Sequence, residues 1–210
     1  ISPNCDGSGG CAGGAGMEGS DAGLQSSMTA PAISVLDLVP VRTGQTSAEA
    51  VASSLDLVAR AEALGIRRYW FAEHHNMPSV ASTTPPVLVA AASARTSRIR
   101  VGSGGVMLPN HSPLVVAEQF AALEALAPDR IDLGIGRAPG SDPVISQLLR
   151  MSGTTSDVER FPSHITDILS LVSPEGASVR FSSGGTYDVH ATPAATGAPE
   201  VWLLGSSDYS

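Results

Sequence analysis

Cysteine is nearly absent from this 210-residue sequence, which has only Cys5 and Cys11. Both lie near the N-terminus with no histidine beside them, so they predict neither a zinc site nor a disulfide framework. Chemistry performed by the rest of the chain therefore proceeds without a thiol.

Basic residues are also scarce, since 12 Lys and Arg stand against 20 Asp and Glu and give a formal net charge of -8. An acidic surface argues against nucleic acid or an anionic membrane as the main partner. No apolar run approaches the roughly 18 residues of a membrane span, and the N-terminus has neither the cationic start nor the apolar core of a signal peptide. We expect a cytoplasmic protein.

Residues 1–32 lack a periodic apolar face and are rich in glycine and serine. Such a composition does not offset the entropy of ordering the chain, so it predicts a disordered leader before a single domain at residues 33–210. Met28 is a candidate natural start.

Five apolar strands alternate with helices in that domain, which is the pattern of a parallel sheet. The predicted strands are residues 33–39, 67–76, 99–108, 131–136 and 201–205. Helix starts are predicted at Thr46, where Glu49 completes a capping box, at Thr84 before Pro85, and at Ser112 before Pro113. A short apolar segment near 144–149, a helix at 162–172 and a hairpin at 178–190 precede the last strand.

The dinucleotide fingerprint G-x-G-x-x-G is missing between the first strand and its helix, which argues against a Rossmann-type site. Polar residues instead follow several strands, as in the ring of loops of a (β/α)8 barrel. They are Glu73-His74-His75, Asn110-His111, Arg137 and Ser206-Ser207.

Each of these residues also has a structural interpretation. Glu73 is equally compatible with an ion pair to Arg67 or Arg68, and His111 is more simply a residue of a helix-entry loop. A metal pair at His74 and His75 lacks a third ligand at suitable spacing. Arg137 follows a core strand, which favours anion binding over neutralisation of an acidic surface. Trp70 and Trp202 are most simply core residues.

Four stretches together resemble the successive strand motifs of the bacterial luciferase-like, flavin-dependent monooxygenase family. They are residues 69–76 (YWFAEHHN), 101–109 (VGSGGVMLP), 129–137 (DRIDLGIGR) and 201–207 (VWLLGSS). The resemblance covers essentially residues 33–210. It implies a TIM barrel that binds reduced FMN, which reacts with O₂ to oxidise a small organic substrate, with a flavin reductase as supplier and a homodimer as the complete assembly.

The resemblance also implies roles for individual residues. His74 matches the family's catalytic histidine, and His75 is its neighbour. Gly104-Gly105 match a non-prolyl cis peptide beneath the isoalloxazine ring, and Arg137 matches a residue that holds the flavin phosphate. Ser206, Ser207 and Ser210 fall in the stretch that supplies further phosphate contacts. No metal is implied.

Two alternatives remain open: related proteins use the deazaflavin F420 in place of FMN, and a flavin-binding relative or an incomplete protein would lack turnover. A closed barrel needs eight strands and about 250 residues, whereas residues 33–210 supply five predicted strands. We therefore expect an incomplete barrel with three βα units missing, open at both edges of the sheet.

Overall fold

The computed structural model of this chain describes residues 31–138, 143–151, 158–194 and 196–205. The predicted leader lies outside these ranges apart from its last two residues, and so do Ser206, Ser207 and Ser210. Every described helix and strand belongs to one structural unit, Ala32–Ser210.

The five predicted core strands form one parallel sheet in the order β1-β2-β3-β4-β7. The strands are β1 (Ser34–Asp37), β2 (Arg68–Phe71), β3 (Arg100–Met107), β4 (Ile131–Gly136) and β7 (Glu200–Leu204). Because neighbouring strands run in the same direction, the chain must return from the carboxyl end of one strand to the amino end of the next. Helices make these crossovers. Among the described strands, β1 and β7 are the two ends of the sheet.

Five α-helices are present in the described ranges. They are α1 (Ser47–Ala63), α2 (Pro85–Ser93), α3 (Pro113–Leu126), α4 (Pro143–Met151) and α5 (Phe161–Leu171). The prediction of only a short apolar segment near 144–149 was incomplete, because that segment is helix α4. None of the described helices combines the length and the apolar character that crossing a membrane requires.

Helix α1 begins at the predicted capping box. Thr46 Oγ1 accepts a hydrogen bond from Glu49 N at 3.2 Å, and Glu49 Oε2 accepts one from Thr46 N at 2.8 Å. The chain leaves α1 through Gly65, whose φ of 77° is a left-handed conformation that glycine adopts readily. Thr84 precedes α2 as predicted, but its side chain makes no capping hydrogen bond, so Pro85 alone favours that start.

The predicted hairpin is confirmed as the antiparallel pair β5 (Ala177–Arg180) and β6 (Thr186–Val189). It lies between α5 and β7 in the chain and forms a sheet of its own.

The hydrophobic core lies between one face of the parallel sheet and the helices that cover it. Tyr69 and Phe71 of β2 are fully buried there, together with Phe120 of α3 and Ile168 of α5. Burying an aromatic or large aliphatic side chain of this kind stabilises the fold by about 1.5–3 kcal/mol. Because side chains alternate along a strand, Arg68 and Trp70 lie on the opposite face.

That opposite face carries a charged cluster at the amino ends of the strands. Asp132, which is fully buried, accepts hydrogen bonds from Arg68 Nε at 3.0 Å, Arg100 Nε at 2.7 Å and Trp70 Nε1 at 2.9 Å. Glu200 Oε2 accepts a further bond from Arg68 at 2.8 Å. Residues at this end of a barrel serve stability rather than chemistry, and these bonds satisfy the buried carboxylate.

Trp202 also belongs to this face, where its ring packs edge-to-face on Trp70 with centroids 5.5 Å apart. The Arg68 guanidinium lies 4.8 Å from the centroid of the Trp202 ring. Both tryptophans are half-buried, so they line the inner face rather than the helix-covered core.

Candidate active site

Glu73, His74 and His75 follow β2 in a loop at its carboxyl end, since β2 ends at Phe71. The predicted strand at residues 67–76 was therefore too long at its carboxyl end. Asn76 then turns the chain with a φ of 56°. The position agrees with the general placement of active sites beyond the carboxyl ends of parallel strands.

Glu73 is the most buried of the three, with 1% of its surface exposed. Its Oε1 accepts hydrogen bonds from Nε2 of His75 and from Nε2 of His111, both at 2.8 Å. Its Oε2 accepts one from the backbone N–H of Met107 at 2.9 Å. The alternative prediction, an ion pair of Glu73 with Arg67 or Arg68, was therefore wrong. Arg68 binds Asp132 instead.

Two opposing effects determine the pKa of Glu73. Burial raises the pKa. A larger, opposite effect comes from the hydrogen bonds donated by His111, His75 and Met107 N and from the charge of His111, so the pKa falls from an ordinary 4.5 to about 2. The carboxylate is therefore ionised at neutral pH and acts only as an acceptor.

His74 differs from His75 in that its ring is not bound to Glu73. Its backbone N–H donates to Ser82 O at 2.9 Å, and the buried Ser82 hydroxyl donates to Ala72 O. These bonds hold the loop after β2. His74 Nδ1 is buried without a hydrogen-bond partner in the described part of the chain. A buried polar atom in this state requires an explanation, and a bound molecule is one.

Gly104 and Gly105 are joined by a cis peptide bond in β3, as the resemblance implied. Pairing with β4 shifts there, from Ser103 opposite Leu133 to Val106 opposite Ile135. A Cβ at Gly104 would lie 2.6 Å from Leu36 Cδ1, and one at Gly105 would lie 2.7 Å from the backbone O of Gly134. A side chain at Gly105 would collide with backbone, whereas one at Gly104 would require Leu36 to move, so glycine is more strictly required at Gly105.

Arg137 directly follows β4 and is exposed. Strands β2, β3 and β4 are neighbours in the parallel sheet, so their carboxyl ends share one edge. The structure thus brings His74, Gly104-Gly105 and Arg137 to the same edge. The predicted serines lie outside the described residues.

His111 was placed in the predicted ring of polar loops but was interpreted as a helix-entry residue. It follows a 3₁₀ turn, Leu108–Asn110, and its ring reaches back to Glu73 although the two are 38 positions apart. The sequence pattern that would have revealed it is the polar pair Asn110-His111 after a strand, which was assigned to helix entry.

A strained residue lies after β1. Val39 has a φ of 53°, which is unusual for a β-branched residue, and it is fully buried. Asp37 holds it, because Oδ1 accepts from Val39 N at 2.7 Å while Oδ2 accepts from the Tyr69 hydroxyl at 2.5 Å. Burial, followed by this carboxylate, raises the pKa of Tyr69.

No group of three or more metal-binding side chains is arranged around a common point in the described ranges. The Nε2 atoms of His75 and His111 are directed to the Glu73 carboxylate, at hydrogen-bond distance.

Polar side chains at the carboxyl edge of a parallel βα sheet are typical of the sites of (β/α)8 barrels and of other parallel α/β folds. The model of the luciferase-like monooxygenase family matches residues 32–210, and the chain belongs to this family. A luciferase-like monooxygenase of Escherichia coli strain K12 is 46% identical over 181 residues, which are 85% of this chain and 51% of that protein.

N-acetyl-S-alkylcysteine monooxygenase of Bacillus subtilis is 35% identical over 179 residues, covering 85% of this chain and 52% of that protein. The chain thus spans about half the length of the curated relatives it matches.

Solved structures show the same fold. Apo-MsnO8 superimposes with a TM-score of 0.72 at 39% identity, covering 83% of this chain and 49% of that one. The oxygenating constituent of 3,6-diketocamphane monooxygenase from Pseudomonas putida, in complex with FMN, superimposes with a TM-score of 0.68 at 19% identity. The match covers 84% of this chain and 52% of that one. An F420-dependent secondary alcohol dehydrogenase superimposes with a TM-score of 0.58 at 15% identity, covering 82% of this chain and 51% of that one. The predicted fold, an incomplete luciferase-like barrel whose parallel sheet has five strands in the described ranges, is confirmed.

Proposed function

We propose that this chain is part of a flavin-dependent monooxygenase that uses reduced FMN and O₂ to oxidise a small organic substrate. The observation that carries the proposal is that His74, whose buried Nδ1 has no described partner, follows β2, while the Gly104-Gly105 cis peptide lies in the neighbouring strand β3. Membership of the luciferase-like family supports the same reaction class.

The residues present fit FMN. The cis peptide between Gly104 and Gly105 carries no side chain, so a planar ring is proposed to approach the backbone of β3 there. Arg137, at the adjacent strand end, is a planar cation suited to paired hydrogen bonds with a phosphate. Ser206, Ser207 and Ser210 are proposed to add hydroxyl contacts to the same phosphate. When bound, reduced FMN supplies the electrons for the activation of O₂.

His74 is proposed to hold and transfer the proton that this chemistry requires. Imidazole is the side chain whose ordinary pKa lies nearest neutrality, so it exchanges a proton readily at the working pH. Its Nδ1 is the atom available for that exchange, because no described group occupies it. His75, which is bound to Glu73, is proposed to support the site next to it.

F420 is the alternative cofactor. Its support is the fold shared with an F420-dependent alcohol dehydrogenase, whereas the FMN complex of the diketocamphane monooxygenase has a higher TM-score. We also propose a flavin reductase as the source of reduced FMN, a homodimer as the assembly and the cytoplasm as the location.

Anaerobic titration of the whole protein with reduced FMN and with reduced F420 tests the choice of cofactor, with binding followed by absorbance. Saturable binding of FMN alone, followed by O₂ consumption on mixing with air-saturated buffer, is the expected result. Binding of F420 alone would replace the proposal by the deazaflavin alternative. Binding of FMN with no O₂ consumption beyond that of free reduced FMN would support a non-catalytic flavin-binding protein.

A further inference from the structure

The carboxylate of Glu73 joins two strand ends through hydrogen bonds. It belongs to the loop after β2, yet it binds the backbone of Met107, the last residue of β3, and the ring of His111 beyond it. The third bond comes from His75 in its own loop. These contacts tie the segment that carries His74 to the strand that carries Gly104-Gly105.

The direction of these hydrogen bonds follows from the charge of the acceptor. An ionised carboxylate has no hydrogen to donate, so each imidazole bound to it must donate from Nε2. A neutral imidazole that carries its hydrogen on Nε2 keeps a lone pair on Nδ1. Glu73 therefore determines the tautomer of two histidines at once.

The hydrogen bonds described for the His75 and His111 rings go to Glu73 through Nε2, so neither bond uses Nδ1. The side chains of His75 and His111 are 19% and 32% exposed, whereas that of Glu73 is 1% exposed. The carboxylate is thus sealed beneath two imidazoles that reach the surface of the site.

We propose that Glu73 is a positioning residue, which holds His75 and His111 as Nε2–H tautomers so that the site presents two Nδ1 acceptors next to His74. The inference deepens the proposed function and rests on it for its catalytic consequence. The tautomers themselves require no cofactor, so they can be tested separately.

The first experiment records ¹⁵N–¹H spectra of the whole protein labelled at histidine, without cofactor, at about pH 9, well above the ordinary imidazole pKa of about 6.5. We expect two downfield Nε2–H resonances. His75→Gln and His111→Gln assign them, because glutamine keeps a donor to Glu73 and removes one ring. His190→Gln is the control, since His190 is exposed and lies outside the cluster.

Glu73→Gln is the decisive variant. The amide oxygen is expected to turn to the N–H of Met107, which places the NH₂ group against the two Nε2 atoms and makes them acceptors. Both histidines then change to the Nδ1–H tautomer. Unchanged resonances in Glu73→Gln, or their absence in the folded wild-type protein, would overturn the inference.

The second experiment compares the same variants in the FMN assay. Glu73→Gln is expected to leave the dissociation constant of FMN within about threefold and to lower the rate of O₂ consumption about tenfold or more, because the Nδ1 atoms of His75 and His111 become donors. An unchanged rate would overturn the positioning role. A wild-type protein that binds no FMN would contradict the proposed function alone, because the spectra would still decide the tautomers.

Discussion

His74 and His75 are adjacent in the chain but differ in what holds their rings. His75 is bound to a buried carboxylate, whereas Nδ1 of His74 is buried with no described partner. A held ring serves to position its neighbours, and a ring with a vacant nitrogen is able to exchange a proton. The two residues of the pair therefore have different proposed roles.

His74→Ala tests the proton-transfer role. In the whole protein we expect FMN affinity to remain within a few fold, while the oxidation rate falls by about 10²–10⁴, the usual contribution of a positioned acid or base. Stopped-flow oxidation of reduced FMN measures the rate. His190→Ala, at an exposed position, is the matched control. A rate equal to that of the wild-type protein would remove His74 from the mechanism.

Arg137→Ala tests the phosphate site. We expect weaker binding of FMN and little effect on riboflavin, because only FMN carries the phosphate that a charge-assisted pair recognises. Fluorescence titration with both ligands measures the difference. Arg180→Ala, an exposed cation on the hairpin strand β5, should change neither affinity. Equal weakening of both ligands would show that Arg137 acts through the fold instead.

Glu73 makes the stability of the protein depend on pH. Its pKa is lowered in the folded state from 4.5 to about 2, so its contribution is complete above pH 4.5 and is lost as the pH falls towards 2. A shift of this size corresponds to about 3 kcal/mol. Urea unfolding at pH 7 and at pH 3 should therefore show a larger loss for the wild-type protein than for Glu73→Gln. Equal losses of unfolding free energy in the two proteins would contradict the lowered pKa of Glu73.

At the residue scale the sequence predicted where the residues of the candidate site lie in the fold better than it predicted their contacts. Glu73, His74 and His75 were located because they follow an apolar strand. The bond from His111 to Glu73 joins residues 38 positions apart, so it depends on how β2 and β3 pair and on the turn after β3. No local pattern contains that information, and Arg68 was an equally plausible partner.

At the scale of elements, the strands were predicted best. β4 has the predicted bounds, because a run of apolar residues buried on both faces ends at clear turn residues. Helix α4 was recognised only as an apolar segment, since nine residues give little more than two turns of periodicity. The charged cluster around Asp132 was missed because its members come from four strands.

The two predicted threonine caps offer a matched comparison of elements. Thr46 makes both bonds of a capping box, whereas Thr84 makes no capping bond. We expect Thr46→Ala to lower the free energy of unfolding of the whole protein by about 1 kcal/mol. Thr84→Ala should change it by less than about 0.5 kcal/mol, as for an ordinary surface substitution. Urea unfolding measures both, and equal effects would contradict the assignment.

At the scale of the whole molecule, the described strands form a sheet with two edges. β1 and β7 each pair with one neighbour only among the described strands. Apolar side chains on these two strands are exposed, including Ile33 beside β1 at 60%, Leu36 at 53% and Leu203 at 51%. An edge strand that exposes its backbone groups and apolar side chains is a template for pairing with another chain.

The 210-residue chain by itself is therefore expected to self-associate and to lack turnover. Light scattering coupled to size exclusion should show a mass that rises with concentration. Leu203→Lys places a charge on the edge strand β7, which opposes edge pairing and should lower the apparent mass. Leu64→Lys is the matched control, because Leu64 is 82% exposed at the end of α1 and does not belong to the sheet. A monodisperse monomer that melts cooperatively and consumes O₂ with reduced FMN would contradict this prediction, and would mean that the edges are covered within one chain.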